Sequence, residues 1–252
     1  MKILYDFAPE IGNTSSVTFT SSASSPTMFP ATNLFYLEPA RCFKTTGTSA
    51  FTLVIDLKSA KSIDTVFLNR INFSEYTLSY STNNSSYTNL VTHTGLKVDE
   101  IAEEQYIHDI YVSQLPFTAR YIKISVPANK AIFDSTYYKI GNVLIGKSIE
   151  MMNPKNGFQV KYQPNMNITT FKSGYISKTK LGRTKRVFSG DFDKLDSEII
   201  AKFKLTYNPF VIWLDYTGKT TSCYLVMNTE EFTQTYDFAT VKSMNFNLEE
   251  IV

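Results

Sequence analysis

The chain has 252 residues, 43% of them hydrophobic, which suffices for one large or two modest packed cores. Its 25 basic side chains nearly balance 23 acidic ones, and a net charge of +2 excludes nucleic-acid binding argued from bulk charge alone. The 19 Phe and 16 Tyr favour pleated, half-buried surfaces and move the expectation toward β structure.

Two cysteines, Cys42 and Cys223, are too few for a disulfide framework. They read as reduced, buried thiols of a protein folded in a reducing cytosol. In Met1-Lys-Ile-Leu-Tyr-Asp-Phe-Ala-Pro-Glu10, Asp6 and Pro9 cut the apolar run short, so no signal peptide is expected there. No stretch approaches the roughly 18 apolar residues of a membrane span.

Taken in chain order, residues 1–12 supply one strand, and residues 13–30, Ser/Thr-rich with Pro26 and Pro30, form a loop or arm. From 31 to about 147 the pattern is strand after strand. Phe51, Leu53, Ile55 and Leu57 alternate with Thr52, Val54 and Asp56, and Ile122, Ile124 and Val126 alternate with Lys123 and Ser125. Such alternation turns one face to a core. Asn83-Asn84-Ser85-Ser86 between Tyr-rich runs is a hairpin turn. Pro154, Asn156 and Gly157 mark a boundary. Two or three strands then cover 158–190. Phe192, Leu195, Ile199, Ile200 and Phe203 recur at helical spacing, predicting a helix near 192–205 that Asp191 or Asp193 caps and Pro209 stops. Phe210–Tyr216 and Ser222–Met227 form a strand pair about the Thr217-Gly218-Lys219 turn, and two further strands end the chain.

The ordered segments between 31 and 146 resemble the discoidin, or galactose-binding-like, jelly roll. Asn33-Leu34 matches its opening pair, Glu38-Pro39 its turn, Ile55-Asp56-Leu57 and Arg120-Tyr121 two of its strands, and Phe43 stands where the family usually has Trp. The resemblance implies a binding and assembly module. Family members often hold Ca²⁺ through an Asp at the turn. That position falls near Tyr36 here, with Glu38 the nearby acid, so no metal is expected. The part after 149 resembles tail-tube and tail-tip hub proteins of long-tailed phages: a strand pair, a flanking helix, a Phe210-Val-Ile-Trp-Leu-Asp215 strand and a terminal Leu-Glu-Glu. The expected fold is therefore mainly β. It comprises a strand and arm over 1–30, a galactose-binding-like β-sandwich over 31–148, and an α+β antiparallel sandwich with one flanking helix over 149–252.

No catalytic constellation emerges. His93 and His108 lack the partners of nucleophile–base chemistry, and no pair of His or Cys has zinc-ligand spacing. Asp56 and Arg120 read as structural groups at the sandwich rim. The acidic run from Asp99 to Glu104 reads as a solvated face, with cation binding or a basic neighbour as the alternatives. Lys178, Lys180, Arg183, Lys185 and Arg186 look like a basic hairpin arm, for which subunit contact, a solvated loop and nucleic acid stay open, in that order. Trp213 reads as core, while Phe29, Tyr36, Tyr87, Tyr137 and Tyr138 lie near turns, where a ring can stack on a sugar.

These readings lead to a non-enzymatic structural adaptor of a phage tail tip or baseplate, made in the host cytoplasm and carried in the virion tail. Its expected partners are other tail proteins and further copies in a ring, with host-surface glycan a further contact. No cofactor, membrane insertion or nucleic acid is expected. The alternative is a monomeric carbohydrate-binding adhesin.

Overall fold

The computed structural model describes residues 1–38, 40–97, 106–150, 158–164, 166–180, 184–193, 209–214, 222–228, 234–238 and 241–251. Among them the chain is mainly β, with one 3-10 turn at Ala31–Phe35. The strands of its first half are β1 (Lys2–Leu4), β2 (Phe7–Ala8), β3 (Thr18–Ser21), β4 (Phe43–Lys44), β5 (Phe51–Ile71), β6 (Tyr76–Ser81), β7 (Thr88–His93), β8 (Ile107–Val126), β9 (Lys139–Ile140) and β10 (Asn142–Gly146). There follow β11 (Ile149–Glu150), β12 (Gln159–Gln163), β13 (Met166–Thr170), β14 (Ile176–Lys180), β15 (Lys185–Asp193), β16 (Phe210–Trp213), β17 (Cys223–Asn228), β18 (Gln234–Phe238) and β19 (Val241–Glu250).

The first sheet runs β2-β10-β5-β8-β6-β7, with β3 also paired to β5. Its backbone is the long antiparallel β5–β8 ribbon. Residues 51–56 of β5 pair with 126–121 of β8, and after register shifts residues 65–71 pair with 112–107. Lys58 has φ 67°, and the residues around it are exposed, so the ribbon changes direction there. Its two arms both feed one apolar core. Phe51, Leu53, Ile55 and Leu57 enter from the first arm and Ile63, Val66, Leu68 and Ile71 from the second. The β4–β9 ladder closes this core with Phe43 and Ile140, and Tyr138 packs against Phe51 and Phe73.

The second sheet runs β11-β1-β16-β17-β19-β15-β12, with β18 on β19. Its strand β1 comes from the start of the chain. Ile3 sits opposite Ile149 on one side and Ile212 on the other. Residues 1–30, read as one strand and an arm, are thus divided: β1 joins the second sheet while β2 and β3 join the first. The crossing is tight. A Cβ on Gly146 would lie 2.2 Å from the Asp6 carbonyl oxygen, which only glycine avoids where β10 meets the incoming chain.

The two sheets pack through Leu4, Phe67, Ile110, Leu144, Val211, Cys223 and Leu225. This contact explains why residues 63–71 are buried without alternation: Val66 and Leu68 face the first core, whereas Phe67 faces the second sheet. Trp213 lies half-buried against the same cluster. Polar groups cross alongside it. Arg70 and Asn69 both donate to Asn142 Oδ1 at 3.1 Å, Asn69 Oδ1 lies 2.6 Å from His108 Nδ1, and His108 Nε2 lies 3.8 Å from Glu250 Oε1. Glu250 in turn pairs with Arg186 at 3.0 Å, both 1% exposed.

Several expectations change. The helix near 192–205 starts inside a strand: Phe192 and Asp193 pair with Met244 and Ser243 in β15–β19, because long-range pairing outweighs local periodicity. Residues 194–205, and the acidic run 99–104, lie outside the described residues. The basic arm divides too. Arg186 is buried on Glu250 and so forms no exposed contact, while the half-buried Lys185 pairs with Glu249. Lys178 is exposed on β14, Lys180 ends that strand opposite Met166, and Arg183 lies outside the described residues. Cys42 and Cys223 are free and buried.

The β13–β14 ribbon belongs to neither sheet. Its register sets Ile168 opposite Lys178 and Thr170 opposite Ile176 on one face, with Asn167, Thr169, Ser177 and Thr179 on the other. Ile168 is 56% exposed and Tyr175, at the turn, 66%. Such a hairpin is marginal by itself in water, and its apolar face has no cover within the described chain.

Candidate functional site

The candidate site is built from two loops and the β4–β9 ladder. The first loop carries Met28 and Phe29. Phe29 N–H donates to the Pro26 carbonyl at 2.9 Å, and Lys44 N–H donates to the Phe29 carbonyl at 3.1 Å. The Asn33 amide donates to the carbonyls of Met28 at 3.0 Å and Cys42 at 3.1 Å, tying the loop to the strand entering β4. The Asn33-Leu34 pair noted in the sequence therefore does structural work: Asn33 clamps and Leu34 is core.

The second loop, 127–138, holds three non-glycine residues at positive φ: Asn129 at 58°, Phe133 at 57° and Asp134 at 51°. Each such residue costs energy that the surroundings must offset, and such conformations gather where a loop presents a site. Two side chains impose this one. Asn72 donates to the Tyr137 carbonyl at 2.9 Å and accepts from Lys139 N–H at 2.6 Å. The Tyr138 hydroxyl donates to the Pro127 carbonyl at 2.6 Å and accepts from Lys130 N–H at 2.9 Å.

Between the loops stands Lys44. Its Nζ lies 3.9 Å from the centre of the Phe29 ring and 4.8 Å from that of Tyr137. Both rings are half-buried, with Met28 79% exposed and Phe133 49% exposed on the flanking backbone. Lys139, the cross-strand partner of Lys44, holds its Nζ 3.9 Å over the Tyr106 ring.

Of the tyrosines named from sequence, Tyr137 is part of this face. Tyr36 lies elsewhere on the 29–44 segment, under the Arg41 guanidinium at 4.0 Å, and its backbone carbonyl accepts from Asn142. Tyr87 closes the β6–β7 end under Lys123, 3.8 Å away, and burial raises its hydroxyl pKa. Tyr138 is corrected: it is fully buried, so it positions the loop and cannot touch a ligand. Sequence reasoning missed Lys44 and Lys139. Each follows an aromatic residue, but nothing local shows that they face each other across a ladder.

Two other polar clusters are structural. Arg120 grips Asp56 with both ends of its guanidinium, Nε to Oδ1 at 2.9 Å and an Nη to Oδ2 at 3.1 Å. That hydrogen bonding holds the Asp56 carboxyl below its ordinary value of 3.8. This is the rim role expected of the pair. His93, the last residue of β7, meets buried Asp109 through Nδ1, and the Tyr76 hydroxyl donates to the same Asp109 oxygen at 2.6 Å. Burial first, and the Asp109 charge second, push the Tyr76 pKa well above 10.0, so Tyr76 stays a neutral donor. Asp109 Oδ1 has no hydrogen-bond partner among the described residues. The cluster joins β6, β7 and β8.

Two concavities lined by described residues include neither Phe29 nor Tyr137. One, of about 290 Å³, is lined by Tyr5, Asp6, Phe7, Glu10, Ile11 and Pro209. Another, of about 330 Å³, runs over Thr52, Thr77 and Ser125. A ring platform for a sugar needs exposed edges more than depth, so the platform is preferred.

No family model and no curated protein matches the sequence. Solved structures do. A family 32 carbohydrate-binding module of a family 89 glycoside hydrolase from Clostridium perfringens, in complex with GalNAc-β-1,3-galactose, is 10% identical with TM-score 0.43, covering 53% of this chain and 96% of that one. The family 32 module of NanJ from C. perfringens, in complex with galactose, is 14% identical with TM-score 0.43, over 59% of this chain and 100% of that one. A chitosan-binding module of a chitosanase/glucanase from Paenibacillus sp. IK-5 is 17% identical with TM-score 0.42, over 52% of this chain and 94% of that one.

Proposed function

We propose that the first sheet and its loops form a non-catalytic carbohydrate-binding module, with Phe29 and Tyr137 as the rings a sugar stacks against. The observation that carries this reading is the pair of half-exposed rings on loops fixed by Asn33, Asn72 and Tyr138. A platform whose geometry is set before binding loses little entropy on contact. The discoidin-like segments in the sequence agree with it. The test is a broad glycan panel with the full chain. Binding should fall at least about tenfold in Phe29→Ala and in Tyr137→Ala, the scale of one lost anchor. Unchanged binding in both variants would move the site elsewhere.

A second reading, assembly of several copies, is favoured by one observation: the exposed apolar face of the β13–β14 ribbon. The occupant we assign it is a second copy of the chain. Its cleft is lined by Tyr5, Phe7 and Ile11 and also carries Asp6 and Glu10, whose charge complements Lys178 of the ribbon. Such a head-to-tail contact closes into a ring or runs on as a filament. A place among the tail proteins of a phage particle belongs with this reading. Sedimentation should give an oligomer that Ile168→Asp dissociates. A wild-type monomer at tens of micromolar would sink it.

A further inference from the structure

We infer that the sugar taken by the Phe29–Tyr137 platform is an acidic one, its anionic group held between Lys44 and Lys139. This inference rests on the carbohydrate reading above.

The register is the first ground. Lys44 and Lys139 are direct partners in the β4–β9 ladder, so their Cβ atoms leave one face about 5 Å apart, and like charges so placed repel. The second ground is their lack of anions. Lys130, Lys185, Arg120 and Arg186 each have a carboxylate within 4.0 Å. Lys44 and Lys139 have none among the described residues, and neither ammonium donates a hydrogen bond within the described chain. The third is burial. Lys139 is 7% exposed, and a buried cation is ordinarily paired. The Tyr106 ring alone offsets part of that cost.

Both backbones are fixed, Lys139 by Asn72 and Lys44 by the Phe29 carbonyl. The two lysines therefore leave the ladder side by side whether or not a ligand is present. An anion on a pyranose stacked at Phe29 and Tyr137 supplies the missing counter-charge, and a neutral sugar does not. Lysine is a point charge without the guanidinium fork, so carboxylate and sulfate both satisfy it.

The experiment is calorimetric titration of the full chain with trigalacturonate, with neutral galactotriose and with a sulfated galactan trisaccharide. At low salt the acidic sugars should bind about tenfold tighter than the neutral one, and that advantage should shrink as salt rises. Lys44→Gln should abolish the advantage, bringing the acidic and neutral affinities within about twofold of each other. Lys139→Gln should do the same where its melting temperature matches wild type. Comparing carboxylated with sulfated ligand identifies the source of the anion. Equal or better binding of galactotriose overturns the inference and leaves the carbohydrate reading standing. Acid preference that survives Lys44→Gln, or equal binding of a polyglutamate peptide, also overturns it. No binding to any sugar overturns both.

Discussion

Glu250→Ala should destabilise the protein by about 3–5 kcal/mol, the range for removing one partner of a buried ion pair. Glu250 accepts from the Arg186 guanidinium through both oxygens at 3.0 Å and from the Arg186 backbone N–H at 3.1 Å. Without it, a guanidinium that is 1% exposed keeps its charge but loses its contacts with Glu250. The stacking of Arg186 on Tyr224, 4.6 Å away, does not replace that charge. His108 of the first sheet also faces Glu250, so the loss reaches the contact between sheets. The double variant Arg186→Met/Glu250→Leu should cost much less than either single change, since it leaves no buried charge alone. Urea unfolding of the three variants measures this. A single variant within about 1 kcal/mol of wild type would show that the pair is solvated in solution.

The second large effect concerns the start of the chain. A fragment covering 149–252 should not fold alone, because its sheet lacks β1. Met1, Ile3 and Leu4 are buried in the second sheet's core and its contact with the first, and β1 hydrogen-bonds to both β11 and β16. At about 1.5–3 kcal/mol per buried apolar side chain, their loss removes on the order of the whole stability of a small domain. Circular dichroism and amide dispersion should show an unfolded fragment, and a peptide of residues 1–8 added in trans should restore structure. A cooperative melt from the fragment alone would refute the shared sheet as a requirement.

Some of this architecture was legible in the sequence. The alternation in 51–57 and 122–126 predicts strands because one face meets core and the other water. The Asn83–Ser86 turn is legible because Asn83 and Asn84 have local reasons to turn. The Asn83 side chain accepts from the Ser85 and Ser86 N–H groups, and Asn84 takes φ 63°. What stayed hidden depends on distant partners. Arg186 looks like part of an exposed basic arm until Glu250, 64 positions away, is set beside it. Phe192 fits a helical period, but its place is decided by Met244. Tyr137 and Tyr138 are chemically alike and adjacent, yet one flanks Lys44 at the surface and the other fills the core, a distinction made by their packing and absent from composition. The Lys44–Lys139 pair is invisible for the same reason: cross-strand register joins residues 95 positions apart.

The measurement that tests the central claim most directly is the affinity of the wild-type chain, Phe29→Ala and Tyr137→Ala for the tightest ligand of a glycan panel, with melting curves to confirm that each variant is folded. The account predicts saturable binding by the wild type and a loss of at least about tenfold in both variants at unchanged melting temperature. Saturable binding that neither substitution alters, or no glycan bound at all, would contradict it.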